Sequence, residues 1–213
     1  MTHPRILIFS GGHLGPWALQ EIQEGDFLLG VEGGALYLLQ HSYQPDFALG
    51  DFDSVTPQEQ TIIKQGSKKF WSCDPVNKNE TDTELAFTWA LNQKPREIVL
   101  LGALGSRLDH SLANVQLLYQ SLQAGIPCRI IDEKNQVQLL KDKLHITKSR
   151  FTQVSLLPLT LEVRGVTLSG FQYPLHNATL TLGHSLGISN ILLADTGTVQ
   201  ITSGLLLVIQ SAD

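Results

Sequence analysis

A chain of 213 residues has room for one large domain or two small ones, and a make-up of 42% hydrophobic and 16% charged residues is that of a globular protein that buries a core. A formal net charge of −5, a pI near 5.8 and the lack of any Lys/Arg run argue against nucleic acid as a partner. Met1-Thr2-His3-Pro4-Arg5-Ile6-Leu7-Ile8 runs straight into an apolar strand and no long apolar segment follows, so neither a signal peptide nor a membrane span is expected.

Ile6 to Phe9 reads as the first strand, running into Ser10-Gly11-Gly12. Such a turn either lets backbone approach a ligand or is a plain turn. A helix is expected from Trp17 to Glu24. Phe27 to Val31 is the second strand, ending in Glu32-Gly33-Gly34, with a helical run from Ala35 to Gln40. Phe47-Ala48-Leu49 is the third, closed by Gly50-Asp51-Phe52-Asp53-Ser54. Two carboxylates two residues apart at a strand end either form a surface Asx turn or converge on a cation, and an all-oxygen pair suits Mg²⁺ or Mn²⁺ better than zinc. Pro57 after Thr56 opens a helix. Lys68 to Cys73 is a fourth strand. Thr81 with Glu84 has the spacing of a capping box, and Asp82 in that first turn suits the helix dipole without any further role.

Glu97 to Leu101 is the fifth strand and enters Gly102-Ala103-Leu104-Gly105-Ser106-Arg107-Leu108-Asp109-His110. A glycine loop with one Arg before a helix suits phosphate, although the spacing is neither a Walker loop nor GxGxxG. Asp109 is an alternative cap for a helix from His110 to Ala124, stopped by Gly125, and Asn114 stands among its apolar residues. Cys128 to Asp132 is the sixth strand. Cys73 and Cys128, the two cysteines, form neither CxxC nor a disulfide framework and read as buried thiols of a reducing cytoplasm. A polar link near Asp132 to Asp142 follows. Short strands punctuated by Gly and Pro then suggest a small antiparallel sandwich, at Lys143–Lys148, Phe151–Leu157, Leu161–Leu168, Ala178–Leu182, Ile188–Ala194 and Leu205–Gln210.

The expected architecture is thus an N-terminal, mostly parallel, Rossmann-like α/β sheet with flanking helices over residues 1–135, and a C-terminal all-β sandwich over 136–213. Glu32, Asp51, Asp53, Lys78, Asp82, Arg107 and Asp109 would share the edge of the parallel sheet where ligands bind. Carboxylates for a cation, with glycine turns and an Arg for phosphate oxygens, fit phosphoryl or pyrophosphoryl transfer.

Three segments taken together resemble the thiamine pyrophosphokinase family: Gly50-Asp51-Phe52-Asp53-Ser54, Thr81-Asp82-Thr83-Glu84-Leu85-Ala86, and Gly102 to His110 continued by Leu112-Ala113-Asn114. Val154-Ser155-Leu156-Leu157-Pro158 and Gly187-Ile188-Ser189-Asn190 look like its vitamin-binding domain. The resemblance implies a cytoplasmic enzyme in which the thiamine hydroxyl attacks the β-phosphorus of ATP, giving thiamine diphosphate and AMP. Asp51, Asp53 and Asp82 would hold Mg²⁺. Gly33, Gly34, Lys78, Gly102, Gly105, Arg107, Asp109 and Asn114 would contact ATP, and Ser189 and Asn190 thiamine. It also implies a homodimer with a shared active site. Two positions depart from the family pattern: Glu32 stands where Asp is common, and Lys78-Asn79-Glu80 where Lys-Asp-Lys is usual.

Two rivals differ in what they predict. Asp51-Phe52-Asp53-Ser54-Val55 also fits the DxDx[TV] pattern of haloacid-dehalogenase-type phosphatases, which would release phosphate without a nucleotide product. A thiamine or nucleotide sensor that kept the fold would bind without turnover.

Overall fold

The computed structural model describes residues 4–72 and 79–213. Two compact units divide the chain, Met1–Glu133 and Lys134–Asp213.

In the first unit, β1 (Arg5–Phe9), β2 (Phe27–Val31), β3 (Phe47–Gly50), β4 (Phe70–Ser72), β5 (Glu97–Leu101) and β6 (Cys128–Ile131) run parallel in the order β6-β5-β1-β2-β3-β4. Their central residues are apolar without alternation, and Ile6 to Phe9 and Ile98 to Leu101 are buried throughout, as strands covered on both faces require. The chain winds one way from β1 to β4 and the other from β5 to β6. The switch therefore lies between β1 and β5, the place where open parallel sheets take their ligands.

The helices are α1 (Pro16–Leu19), α2 (Gly33–Gln40), α3 (Pro57–Gly66), α4 (Asp82–Asn92) and α5 (Leu108–Ala124). Three depart from the sequence reading. The helix expected from Trp17 to Glu24 stops at Leu19, because the Glu21 carbonyl accepts from Arg5 Nη2 at 2.9 Å and the Gln23 N–H donates to Asp26 at 2.8 Å. The reciprocal capping box sits at Thr56 and Glu59, while at Thr81 the hydroxyl accepts from the Glu84 N–H. Asp109 does not cap α5: the helix begins at Leu108, Arg107 holds the capping position, and Asp109 lies inside the first turn. Gly125 ends α5 at φ 68°, as expected.

At the opposite strand ends, Arg5 donates to Asp26 through Nε at 2.9 Å and Nη2 at 2.7 Å, with side chains 7% and 1% exposed. The Asp26 carboxylate is the main reason the guanidinium is held above its usual range. Asp26→Ala would leave the buried Arg5 cation with only the longer contact of its Nη1 to Glu97 Oε2 at 3.6 Å, so urea unfolding should show a loss of about 3 kcal/mol, the low end for breaking a buried pair. An unchanged midpoint would mean that water replaces the carboxylate at no cost.

In the second unit, β7 (Asn135–Leu140), β8 (Lys143–Thr147), β9 (Gln153–Pro158), β10 (Glu162–Ser169), β11 (Ala178–Thr181), β12 (Asn190–Ile191), β13 (Thr196–Gln200) and β14 (Leu206–Ser211) form two antiparallel arrays, β12-β9-β14-β7 and β11-β10-β13-β8. Alternate residues turn inward, so that Leu156, Val163, Val166, Val199 and Val208 share one core. Three expectations change here. The segment read as a polar link contains β7, whose Gln136 and Gln138 alternate with Val137 and whose six residues pair along β14. The strand expected over Ile188–Ala194 contracts to Asn190–Ile191, and β13 appears where a Gly and three polar residues hide the alternation. Among the described residues, no helix is long and apolar enough to cross a membrane.

Candidate active site

The site grows out of the turns after β1, β2, β3 and β5. α2 starts hard against the end of β1: a Cβ on Gly34 would stand 1.9 Å from the Phe9 carbonyl oxygen. This close start leaves Glu32 at φ 47°, ψ −116°, a conformation that costs a non-glycine residue energy and is tolerated where the surroundings impose it. The Glu32 N–H donates to the Leu49 carbonyl at 3.2 Å, and its own carbonyl accepts from Ala35 at 2.9 Å. Gly50, at φ 149°, leaves the space the Glu32 side chain crosses; a Cβ there would lie 2.6 Å from Glu32 Cγ.

Beyond Gly50, Phe52 turns inward at φ 60°, is 4% exposed, and stacks on Phe70 with centroids 4.8 Å apart. It anchors the loop from which Asp51 and Asp53 project. The Asp53 N–H donates to Asp51 Oδ1 at 3.1 Å, and the Asp51 N–H to Asp82 Oδ1 at 3.1 Å. Glu32, Asp51 and Asp53 each offer a carboxylate oxygen within 4.8 Å of the others. Ser54 Oγ donates to Glu32 Oε2 at 2.8 Å, while Glu32 Oε1 is buried without a hydrogen-bond partner among the described residues. Burial is the main force pushing the Glu32 carboxyl up to about 7; the Ser54 hydrogen bond opposes it, and the Asp51 and Asp82 carboxylates add to it.

The phosphate-type loop is fixed from two sides. Gly102 sits at φ 68°, and the Gly12 N–H donates to its carbonyl at 3.1 Å, an approach that a Cβ on Gly12, 2.2 Å from that oxygen, would block. From α5, buried Asn114 donates through Nδ2 to the Ala103 carbonyl at 2.7 Å, and Ser111 Oγ accepts from the Gly105 N–H at 3.1 Å. Arg107 and Asp109 form an exposed pair with Nη2 and Oδ2 2.6 Å apart. The Asp109 carboxylate is the main reason the guanidinium is raised, and Arg107 in turn holds Asp109 below the usual carboxylate range.

These pieces enclose a cavity of about 340 Å³, at the low end of the range for small-molecule sites. Of the residues singled out from the sequence, Glu32, Asp82, Gly102, Gly105, Arg107 and Asn114 line it, and Asp51 and Asp53 surround Glu32 beside it. Gly33 opens α2 with free space about it, Gly34 is packed on β1, and Asp109 is paired with Arg107. Lys78 and Cys73 lie outside the described residues; Cys128 is buried, as expected. Sequence reasoning passed over Thr83, whose hydroxyl donates to Ser10 Oγ at 3.2 Å, and Ser111. Their signal was position, one residue past Asp82 and one helical turn past Arg107.

In the second unit, Ser189 adopts φ 58° and its N–H donates to Ser155 Oγ at 3.0 Å. The Asn190 side chain is buried, accepts from the Tyr173 N–H at 3.0 Å, and donates to the Tyr173 carbonyl at 2.7 Å.

Comparison with known proteins follows the same division. A family model described as "Thiamin pyrophosphokinase, catalytic domain" matches residues 18–130, and one described as "Thiamin pyrophosphokinase, vitamin B1 binding domain" matches residues 141–206. Thiamine pyrophosphokinase of Bacillus subtilis is 36% identical over 212 residues, 98% of this chain and 99% of that protein. The crystal structure of the Bacillus subtilis enzyme superposes with a TM-score of 0.91 over 98% of this chain and 99% of that one. The structure of thiamin pyrophosphokinase from Geobacillus thermodenitrificans, 34% identical, gives 0.89 over 98% of each chain.

Proposed function

We infer from one premise, that this chain belongs to the thiamine pyrophosphokinase family, that it transfers the pyrophosphoryl group of ATP to the hydroxyl of thiamine, giving thiamine diphosphate and AMP. The observation that carries the reading to this site is the convergence of Glu32, Asp51 and Asp53 beside a glycine loop at the β1/β5 switch point. The haloacid-dehalogenase reading is not favoured, since the Asp pair follows β3 rather than the first strand.

The donor set fits a hard divalent cation. All its candidate ligands are carboxylate oxygens, and Glu32 Oε1, buried without a hydrogen-bond partner among the described residues, is an acceptor for which a cation is the natural neighbour. Asp51, Asp53 and Asp82, joined by Glu32, would hold Mg²⁺, which when bound neutralises triphosphate charge. The protein's own groups do the rest. The turn at Gly102 to Gly105, shaped by Asn114 and Ser111, offers backbone to the nucleotide. Arg107, oriented by Asp109, offers a planar cation to phosphate oxygens. Lys78 is assigned to the same phosphates. Gly33 contributes at the start of α2, and Gly34 by letting that helix close on β1. Thiamine is assigned to Ser189 and Asn190, and its hydroxyl then attacks the β-phosphorus in line as AMP departs, a reaction in which positioning supplies most of the rate. The working protein is taken as a cytoplasmic homodimer whose subunits share the active site.

With purified protein, ATP, Mg²⁺ and thiamine, AMP should form when both thiamine and metal are present. ADP or free phosphate in its place would overturn the reading in favour of another phosphotransferase or a phosphatase. Saturable thiamine binding without any nucleotide product would make the protein a sensor.

A further inference from the structure

We propose that Ser54 is a positioning residue which rolls the Glu32 carboxylate so that one oxygen stays turned toward the metal. The inference rests on the metal assignment above and concerns how this chain's residues prepare for the ion.

Two constraints leave Ser54 this task. The Glu32 backbone is pinned at φ 47° by its bonds to Leu49 and Ala35. Its stem is confined over Gly50, where even a Cβ would come within 2.6 Å of Cγ. What remains is the torsion of the carboxylate itself, and Ser54 Oγ, 2.8 Å from Oε2, fixes it. Oε1 is then buried without a hydrogen-bond partner among the described residues, on a carboxylate that lies within 4.8 Å of Asp51 and Asp53 oxygens. A buried acceptor without a donor costs about 1–3 kcal/mol, so a fold that turns one oxygen of Glu32 to a hydroxyl and leaves the carboxylate otherwise among the acceptors of Asp51 and Asp53 is arranged for a cation.

The chemistry of the donor fits. A hydroxyl binds one carboxylate oxygen without cancelling its charge, whereas a Lys or Arg in its place would compete with a cation. Ser54 also follows Asp53 directly, so the bond ties the turn after β2 to the loop that carries both Asp side chains. Groups that orient a metal ligand in this way typically change metal affinity by about 10–100-fold when removed.

The test is a titration of the full-length protein with Mn²⁺ alone, followed by the electron paramagnetic resonance signal of the free ion. Ser54→Ala should weaken Mn²⁺ binding by about tenfold, Ser54→Thr should restore most of it because the hydroxyl returns, and thermal melting should be alike for all three proteins. The KM for thiamine should not move. Equal Mn²⁺ affinity in wild type and Ser54→Ala overturns the proposal, and so does a loss that Thr does not restore. A wild type that makes AMP but takes up no Mn²⁺ overturns it while leaving the reaction standing. A wild type that makes no AMP overturns the reaction assigned above, and the Mn²⁺ titration then judges Ser54 separately.

Discussion

Asp53→Asn is expected to lower kcat/KM by roughly a hundredfold or more while leaving the thermal melting curve in place. The magnitude follows from the role. A metal-bound carboxylate supports charge stabilisation worth several kcal/mol in the transition state, and each 1.36 kcal/mol is tenfold in rate, so forfeiting about 3 kcal/mol gives roughly a hundredfold. The unchanged stability follows from the geometry. Asp53 is exposed, its N–H bond to Asp51 Oδ1 does not use the side chain being altered, and Asn keeps an oxygen acceptor in the same place. Asn keeps size and shape and removes one carboxylate of the three whose oxygens lie within 4.8 Å of one another. Full Mg²⁺-dependent activity in this variant would remove Asp53 from the metal and leave Glu32, Asp51 and Asp82 to be tested in turn.

The sheet edge that carries this site was legible because its markers are local. β2, β3, β5 and β6 are short apolar runs that close on Gly, Asp or Glu, and a parallel arrangement puts such ends on one side without further information. The pairings that decide how the site works are not local. Glu32 and Ser54 are 22 residues apart, and their bond depends on a positive φ that no propensity assigns to Glu. Asn114 looked like a misplaced polar residue in a helix; its reason is a carbonyl 11 residues earlier, on the loop it holds. Asp109 was an ambiguous signal, since a carboxylate at a helix start serves a cap, a dipole or an ion pair equally well, and the Arg two residues before it decided the matter. In the second unit β7 escaped notice for a different reason. Gln136 and Gln138 occupy alternate positions that a half-buried strand tolerates when amides pair with each other, as Gln136 Nε2 does with Gln210 Oε1 at 2.9 Å.

Asn190→Ala is the second substitution with a large expected effect, and it separates two ways in which this residue could serve thiamine. The residue is 7% exposed and its amide is engaged at both ends: Oδ1 accepts from the Tyr173 N–H at 3.0 Å and from the Ile191 N–H at 2.9 Å, and Nδ2 donates to the Tyr173 carbonyl at 2.7 Å. Removing it strips both backbone partners from Tyr173, so stability should fall by about 2–3 kcal/mol, a drop in melting temperature of roughly 5–10 °C for a chain of this size. Because the amide acts by holding the 172–173 turn, the KM for thiamine should rise with the melting temperature's fall while the KM for ATP stays put. Asn190→Asp should be intermediate, since a carboxylate can still accept from Tyr173 and Ile191 but meets the Tyr173 carbonyl as a second acceptor. A higher thiamine KM with no loss of stability would instead mean that the amide leaves Tyr173 to bind the substrate. A loss of stability with both KM values unchanged would make Asn190 a strut of the second unit and move thiamine recognition to Ser189 and its neighbours.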